Sequence, residues 1–125
     1  MSKGYNANRE RLELVNSFGK MLGKRASFRC EWCDGTDDLR VWDYRPHAEP
    51  SAETLALLCG ACRELSEGKR GDDNRLHSLR NALWSDIPAI SGGAARVLAR
   101  SRAPWVREAI EESLIEEELK RELLG

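Results

Sequence analysis

"CEWCDGTDDLRVWDYRPHAEPSAETLALLCGAC" (residues 30–62) opens and closes on a Cys-x-x-Cys pair. Cys30, Cys33, Cys59 and Cys62 are all the cysteines of the chain, and 25 residues separate the two pairs. Zinc takes four soft ligands tetrahedrally, with sulfur about 2.3 Å away. A Cys-x-x-Cys turn delivers two thiolates from one side while its amides point at the sulfurs, and two such turns complete the tetrahedron. The gap is longer than the commonest zinc-site spacing, and a hairpin plus a loop accounts for the excess. Asp34-Gly35-Thr36-Asp37 is a turn cluster, with Gly35 where the chain must reverse. Leu39, Val41 and Trp42 read as a strand, and "PHAEPSAE" as a loop bounded by Pro46 and Pro50. "TLALL" is a second short strand running into the second pair, and "RELSEG" continues as a helix. Cysteine turn, hairpin, loop, then a cysteine turn opening a helix is the order of a treble-clef zinc module, placed here over residues 28–66.

Other uses of four cysteines fit less well. Disulfides need an oxidising compartment, and nothing in the sequence points to export. A thioredoxin-like pair needs one Cys-x-x-Cys in an α/β context, not two. Iron in a rubredoxin-like site uses the same four ligands and stays open. One structural Zn2+ per chain is the expectation, with a folding contribution on the order of 10 kcal/mol. Four thiolates leave no open coordination position, so such a site cannot activate water as a three-ligand zinc does. Arg29 and Arg63, each adjacent to a ligand, are expected to offset the local negative charge.

Either side of the module the pattern is helical. "NRERLELVNSFGKMLG" (8–23) puts Leu12, Val15 and Leu22 on one stripe and Leu14, Phe18 and Met21 on an adjoining one. Asn8 is its candidate N-cap and Gly23 its stop. Leu76, Leu79 and Leu83 recur at helical spacing, as do Ile87, Ile90, Ala94, Val97 and Leu98. Gly92 and Gly93 weaken that second helix by about 1 kcal/mol each relative to alanine, which implies close approach to another element. Ser85 and Asp86 are expected to cap the helix that Pro88 begins. A last helix starts at Pro104, with favourable Glu116–Lys120 and Glu117–Arg121 pairs. Trp84 and Trp105 read as core anchors and His77 as a packed or capping histidine. Trp32 either shields the metal or stands exposed as a contact residue.

Charged residues make up 33% and aromatic residues 6% of the chain, the balance of a helical, well-solvated protein. The net charge of −1 is uneven: residues 1–29 carry seven bases against two acids, residues 101–125 four bases against seven glutamates. That balance is far from a dedicated nucleic-acid domain. No run approaches the ~18 apolar residues of a membrane span, and the N-terminus lacks a signal-peptide pattern. A cytoplasmic protein with no membrane contact is the expectation.

Residues 30–62 resemble the zinc scaffold of HNH nucleases. In that pattern a strand between the cysteine pairs carries Asp/His-His-hydrophobic-x-Pro, and a histidine follows the second pair. Aligning the proline on Pro46 puts Trp42-Asp43 where the histidines belong and Arg63 where the later one belongs. His47 lies just beyond Pro46, out of register. Carboxylates ordinarily titrate near pH ~4 and are poor proton acceptors at neutral pH. Asp43 could otherwise hold magnesium together with Asp37, Asp38 or Glu49. The resemblance therefore implies a scaffold without its catalysts, with no DNA cleavage expected. Arg45, Arg63, Asp43 and His47 remain candidate contact residues.

A second resemblance covers residues 25–119. "FRCEWCDGTDDLRVWD", "LALLCGAC" and "HSLRNALWSDIPAISGGAARVLARSRAPWVREAIEESLIEEE" are similar to the N-terminal region of PhnA-type proteins. The family's cysteine pairs fall on Cys30, Cys33, Cys59 and Cys62. Its Trp-Ser-Glu-hydrophobic-Pro-Ala block falls on Trp84-Ser85-Asp86-Ile87-Pro88-Ala89, a later tryptophan on Trp105 and a histidine on His77. Members also carry a C-terminal β-rich domain without counterpart in these residues. The family name reflects proximity to alkylphosphonate-utilisation genes and assigns no reaction.

The reading is an α+β, mostly helical single domain (1–125). It holds an N-terminal helix (8–23), the four-cysteine treble-clef module (28–66) and a helical region of about three helices (74–124). The expected function is a non-catalytic zinc-binding module of PhnA-like type that contacts a protein, a second copy of itself or, weakly, nucleic acid. The alternative is a divergent HNH-like nuclease or phosphonate-metabolism hydrolase.

Overall fold

The computed structural model describes residues 3–125, with side chains from Arg9 onward. In chain order the elements are α1 (Lys3–Asn16), α2 (Gly19–Ala26), β1 (Arg40–Asp43), β2 (Leu55–Leu58) and α3 (Gly60–Ser66). Four helices follow: α4 (Asp73–Ala82), α5 (Pro88–Ala99), α6 (Val106–Glu112) and α7 (Glu117–Leu124).

The expected N-terminal helix is two helices. The Ser17 hydroxyl donates to the Leu14 carbonyl, a local bond that competes with the helical ladder. Phe18 N–H then reaches back only to Val15. Asn8 lies inside α1 rather than at its start, and its side chain is outside the described residues. Gly23 is not the stop either. It sits within α2, where a Cβ would fall 2.5 Å from a ring carbon of Phe28. Its missing side chain lets that ring fold back on the helix. The end comes three residues later, where Ser27 and Phe28 take left-handed φ of 55° and Phe28 N–H bonds Gly23 O at 2.8 Å. Val15 and Leu22 are buried, whereas Leu12, Leu14 and Met21 are exposed, so the buried face is narrower than the pattern implied.

β1 and β2 form one antiparallel pair in the register Arg40↔Leu58 to Asp43↔Leu55. Every residue of β2 is buried, and strand geometry sends successive side chains to opposite faces. Leu55 and Leu57 join Val15 and Leu22 under α1 and α2. Ala56 and Leu58 join the larger core with Leu79, Leu83, Leu98 and Ile110.

α5 runs through that larger core, buried at Ile90, at Leu98 and along the small residues 91–95. The close approach expected at its glycines is present. A Cβ at Gly92 would fall 2.6 Å from the Tyr44 hydroxyl, and one at Gly93 2.7 Å from Trp32 Cζ2 and 2.9 Å from Trp42 Cη2. Pro88 stands in the first turn, but Ile87 occupies the cap position without a side-chain cap; Ser85 Oγ accepts from Ile87 N–H at 3.1 Å. Trp84, expected in the core, is 48% exposed, because Ala82 and Leu83 take the inward positions at the end of α4. Trp105 is half-buried.

The terminal helix is also two. Ser113 turns extended (φ −70°, ψ 171°), and its buried hydroxyl donates to Ile110 O at 2.7 Å. Pro104 precedes the cap residue Trp105 rather than standing in the first turn. Lys120 donates to Glu111 O at 2.9 Å, closing the end of α6, and pairs with Glu117 at 3.4 Å. Among the described residues neither expected i,i+4 pair forms. No described helix is long and apolar enough to cross a membrane.

Gly93→Ala separates packing from helix propensity. Alanine gains about 1 kcal/mol in a helix, but forcing a methyl into a filled core costs about 1–3 kcal/mol. The melting temperature should fall. Gly19→Ala, whose Cβ would meet only Val41 at 3.7 Å, should leave it level or raise it. Thermal unfolding followed by circular dichroism reads both, and a stabilised Gly93→Ala would show that the aromatic contact yields.

Candidate metal centre

The first cysteine turn follows the left-handed Ser27-Phe28 exit from α2. Cys30 N–H bonds Gly35 O at 2.7 Å and Asp34 N–H bonds Cys30 O at 2.9 Å, closing the loop. Asp34, not Gly35, takes the left-handed conformation (φ 69°). Trp32 N–H and Cys33 N–H point at Cys30 Sγ, 3.4 and 3.5 Å away. The second pair lies where β2 becomes α3: Cys59 is the cap residue and Cys62 is inside the helix.

The four sulfurs lie within 4.8 Å of one another, and Cys33 Sγ is 3.5 Å from Cys59 Sγ. All four are free thiols, three buried and Cys33 half-buried. Tetrahedral bonds of about 2.3 Å require sulfurs about 3.8 Å apart, so the cluster has the dimensions of a tetrathiolate site. These four cysteines can hold a metal ion.

Electrostatics favour an ion there. The Cys62 thiol beside Cys30, opposed by burial and helped by backbone N–H groups, lowers Cys30 to about 5. Burial pushes Cys33 up to about 11. Cys62 is raised, first by its bond to Cys30, then by burial and by the negative charge of its neighbours. A thiolate at Cys30 thus forms readily, while thiolates at Cys33 and Cys62 are disfavoured. A divalent cation removes that conflict, because it stabilises every thiolate at once.

Two clamps hold the centre. Glu31, between the first ligands, has a buried carboxylate that accepts from Leu57 N–H at 2.8 Å and pairs with Arg25 at 2.7 Å. Arg25 also donates to the carbonyls of Ala52 and Leu55 at 2.6 and 3.0 Å. Together they lash α2, the first cysteine turn and β2. Arg63 donates to the Asp38 carbonyl at 2.6 Å and its carboxylate at 2.7 Å. That bond, with help from Arg40, holds Asp38 below the usual carboxylate range.

Neither arginine expected to offset the sulfurs does so: Arg63 serves Asp38, and Arg29 faces Asp34 at 3.6 Å. Arg75 of α4 takes that place. Its Nη1 is 3.2 Å from Cys33 Sγ, 3.7 Å from Cys59 Sγ and 4.0 Å from Cys62 Sγ. Asp72 caps α4 through Arg75 N–H at 2.8 Å and thereby orients the residue. The only sequence signal was the Asp-x-x-Arg start of a helix soon after the second pair.

The other candidates do not converge. Asp43 is held by Arg11 at 3.0 Å, while its second oxygen is buried without a partner. Arg11 also donates to Arg45 O at 3.0 Å. Arg45 is exposed, with its guanidinium 5.1 Å from the Tyr44 ring centre, and His47 is exposed in the loop. Among the described residues Asp43, Asp37, Asp38 and Glu49 form no ligand cluster; the cysteines alone do. His77 stacks on Trp105, ring centres 4.4 Å apart. Trp32 is 3% exposed and meets Trp42 edge-on at 5.0 Å, which makes it a core ring and not a surface contact.

Comparison of the chain with protein-family models, with curated proteins and with solved structures finds no match.

Proposed function

We propose that the chain is a non-catalytic zinc module of treble-clef, PhnA-like type that presents a surface to a partner. The observation that carries this reading is the set of four free thiols within 4.8 Å of one another, supplied by two turns and clamped from both sides. Zinc suits four thiolates in a tetrahedron, and such a site is coordinatively closed. Bound there, the ion acts as a staple: it joins the turn after α2 to the start of α3, and Arg75 extends the junction to α4. A hairpin between the pairs and a helix opening on the second pair support the treble-clef assignment. The residues aligned with the nuclease histidines have other duties here, since Asp43 pairs with Arg11 and Arg63 with Asp38.

Native mass spectrometry should find one zinc per chain; two disulfides in protein purified without oxidant would end the reading. Cys59→Ser should unfold the central module, because the metal's folding contribution is on the order of 10 kcal/mol. Full zinc content and an unchanged melting curve would remove Cys59 from the ligand set.

Arg75→Gln should leave the fold in place and speed zinc loss to a chelator. Groups that support metal ligands from outside typically change affinity about 10–100-fold. Unaltered release kinetics would make Arg75 a bystander. In a plasmid-nicking assay with magnesium or manganese the protein should stay at background. Metal-dependent nicking abolished by Asp43→Ala, at constant zinc content, would favour the nuclease reading instead.

A further inference from the structure

We infer that the partner surface is a groove along the C-terminal half of α5 that binds single-stranded nucleic acid. The inference rests on the proposed function and names its partner. Two cavities, of about 240 and 420 Å3, meet at Val97 and Arg100. The smaller is walled by Trp32, Trp42 and Tyr44, with Arg45 and Arg96 at its margin. The larger is lined by Lys69, Arg70, Arg100 and Arg102. Among the described residues no carboxylate lines either one, in a chain with 21 acidic residues against 20 basic.

Basic residues near a helix C-terminus complement its dipole, which accounts for Arg96 and Arg100 alone. Arg45 comes from the loop after β1, and Arg70 and Arg102 from the connections before α4 and after α5, so three further segments converge on the groove. Glu122 holds Arg96 at 2.6 Å and Glu64 holds Lys69 at 2.9 Å. Among the described residues Arg45, Arg70, Arg100 and Arg102 make no ion pair, and all four are exposed.

The aromatic end selects the kind of anion. Gly93 lines the smaller cavity, and the rings of Trp32 and Trp42 pack directly against its backbone. A base offers a flat face for the half-buried Trp42 and Tyr44. The cavity is below the ~300–1,000 Å3 of drug-sized pockets, a size for one ring system. In a duplex the base faces are covered, so stacking selects an unpaired strand, whose following phosphates meet Arg100, Arg102 and Arg70.

The test uses the full chain loaded with zinc and fluorescently labelled short strands, read by anisotropy. Oligothymidine and oligouridine should bind, with log affinity falling against log salt at a slope of about 0.7 per phosphate contact. Arg70→Gln with Arg102→Gln, both exposed, should weaken binding about tenfold at low salt and lower the slope by about 1.4. An abasic strand of equal length should bind about tenfold more weakly, the stacking of a base being lost. Equal affinity for abasic and normal strands, for duplex, or for polyglutamate would overturn the assignment, as would displacement by adenosine monophosphate at strand-like concentrations. A folded, zinc-loaded protein that binds no strand defeats this inference and leaves the zinc module standing; a chain without metal defeats the module itself.

Discussion

Four sulfurs from two segments of chain are held within 4.8 Å of each other, and everything around them answers to that crowding. Burial penalises thiolates, and one thiolate penalises the next. The structure offers three kinds of positive compensation. Backbone N–H groups of Trp32 and Cys33 point at Cys30, the Arg75 guanidinium leans on three sulfurs, and the cluster itself is shaped for a cation. Each ties a different part of the chain to the centre. The cost of leaving the sulfurs uncompensated is thereby coupled to the folding of both cysteine turns and the placement of α4.

β2 carries that coupling outward. It is four residues long, buried on both faces, and ends one residue before a ligand. Its odd and even positions supply different cores, so a one-residue slip would exchange Leu55 and Leu57 with Ala56 and Leu58 and spoil both. The register rests on more than the short ladder. Glu31 uses its backbone and its carboxylate to engage Leu57, and Arg25 reaches the carbonyl of Leu55. A cysteine turn that sets strand register explains why a chain with a two-stranded sheet keeps a single arrangement of two cores.

How much of this was legible in the sequence depended on the range of the interaction. The cysteine spacing, the hairpin and the helical periodicity are local patterns, and they marked the module and the C-terminal helices. Gly92 and Gly93 could be read as contact glycines because helix propensity alone disfavours them. Gly23 looked the same in sequence as a helix stop, yet its role is space for Phe28, five residues on. Ser17 and Ser113 end helices through hydroxyl-to-carbonyl bonds that serine also makes without ending one: Ser91 bonds Ile87 O within α5. Arg75 was invisible for a different reason. Its partners are 13 to 42 residues away, whereas the arginines adjacent to the ligands in sequence are engaged by Asp34 and Asp38.

Net charge hid the groove for a similar reason. A total of −1 reads as neutrality, but among the described residues no carboxylate lines the groove, and Glu122 of α7 meets only Arg96 at its margin. The low aromatic content misleads too, since Trp32, Trp42 and Tyr44 gather at one place. Trp32 lies between the first two cysteines, so the geometry of the metal turn sets the position of its indole. That indole packs against Gly93 and Trp42 and forms one wall of the smaller cavity. Through Trp32 the cysteine cluster shapes the smaller cavity. The four-cysteine cluster and the basic groove are thus linked through one side chain: Trp32 sits between two of the cysteines and lines the cavity beside Arg45 and Arg96.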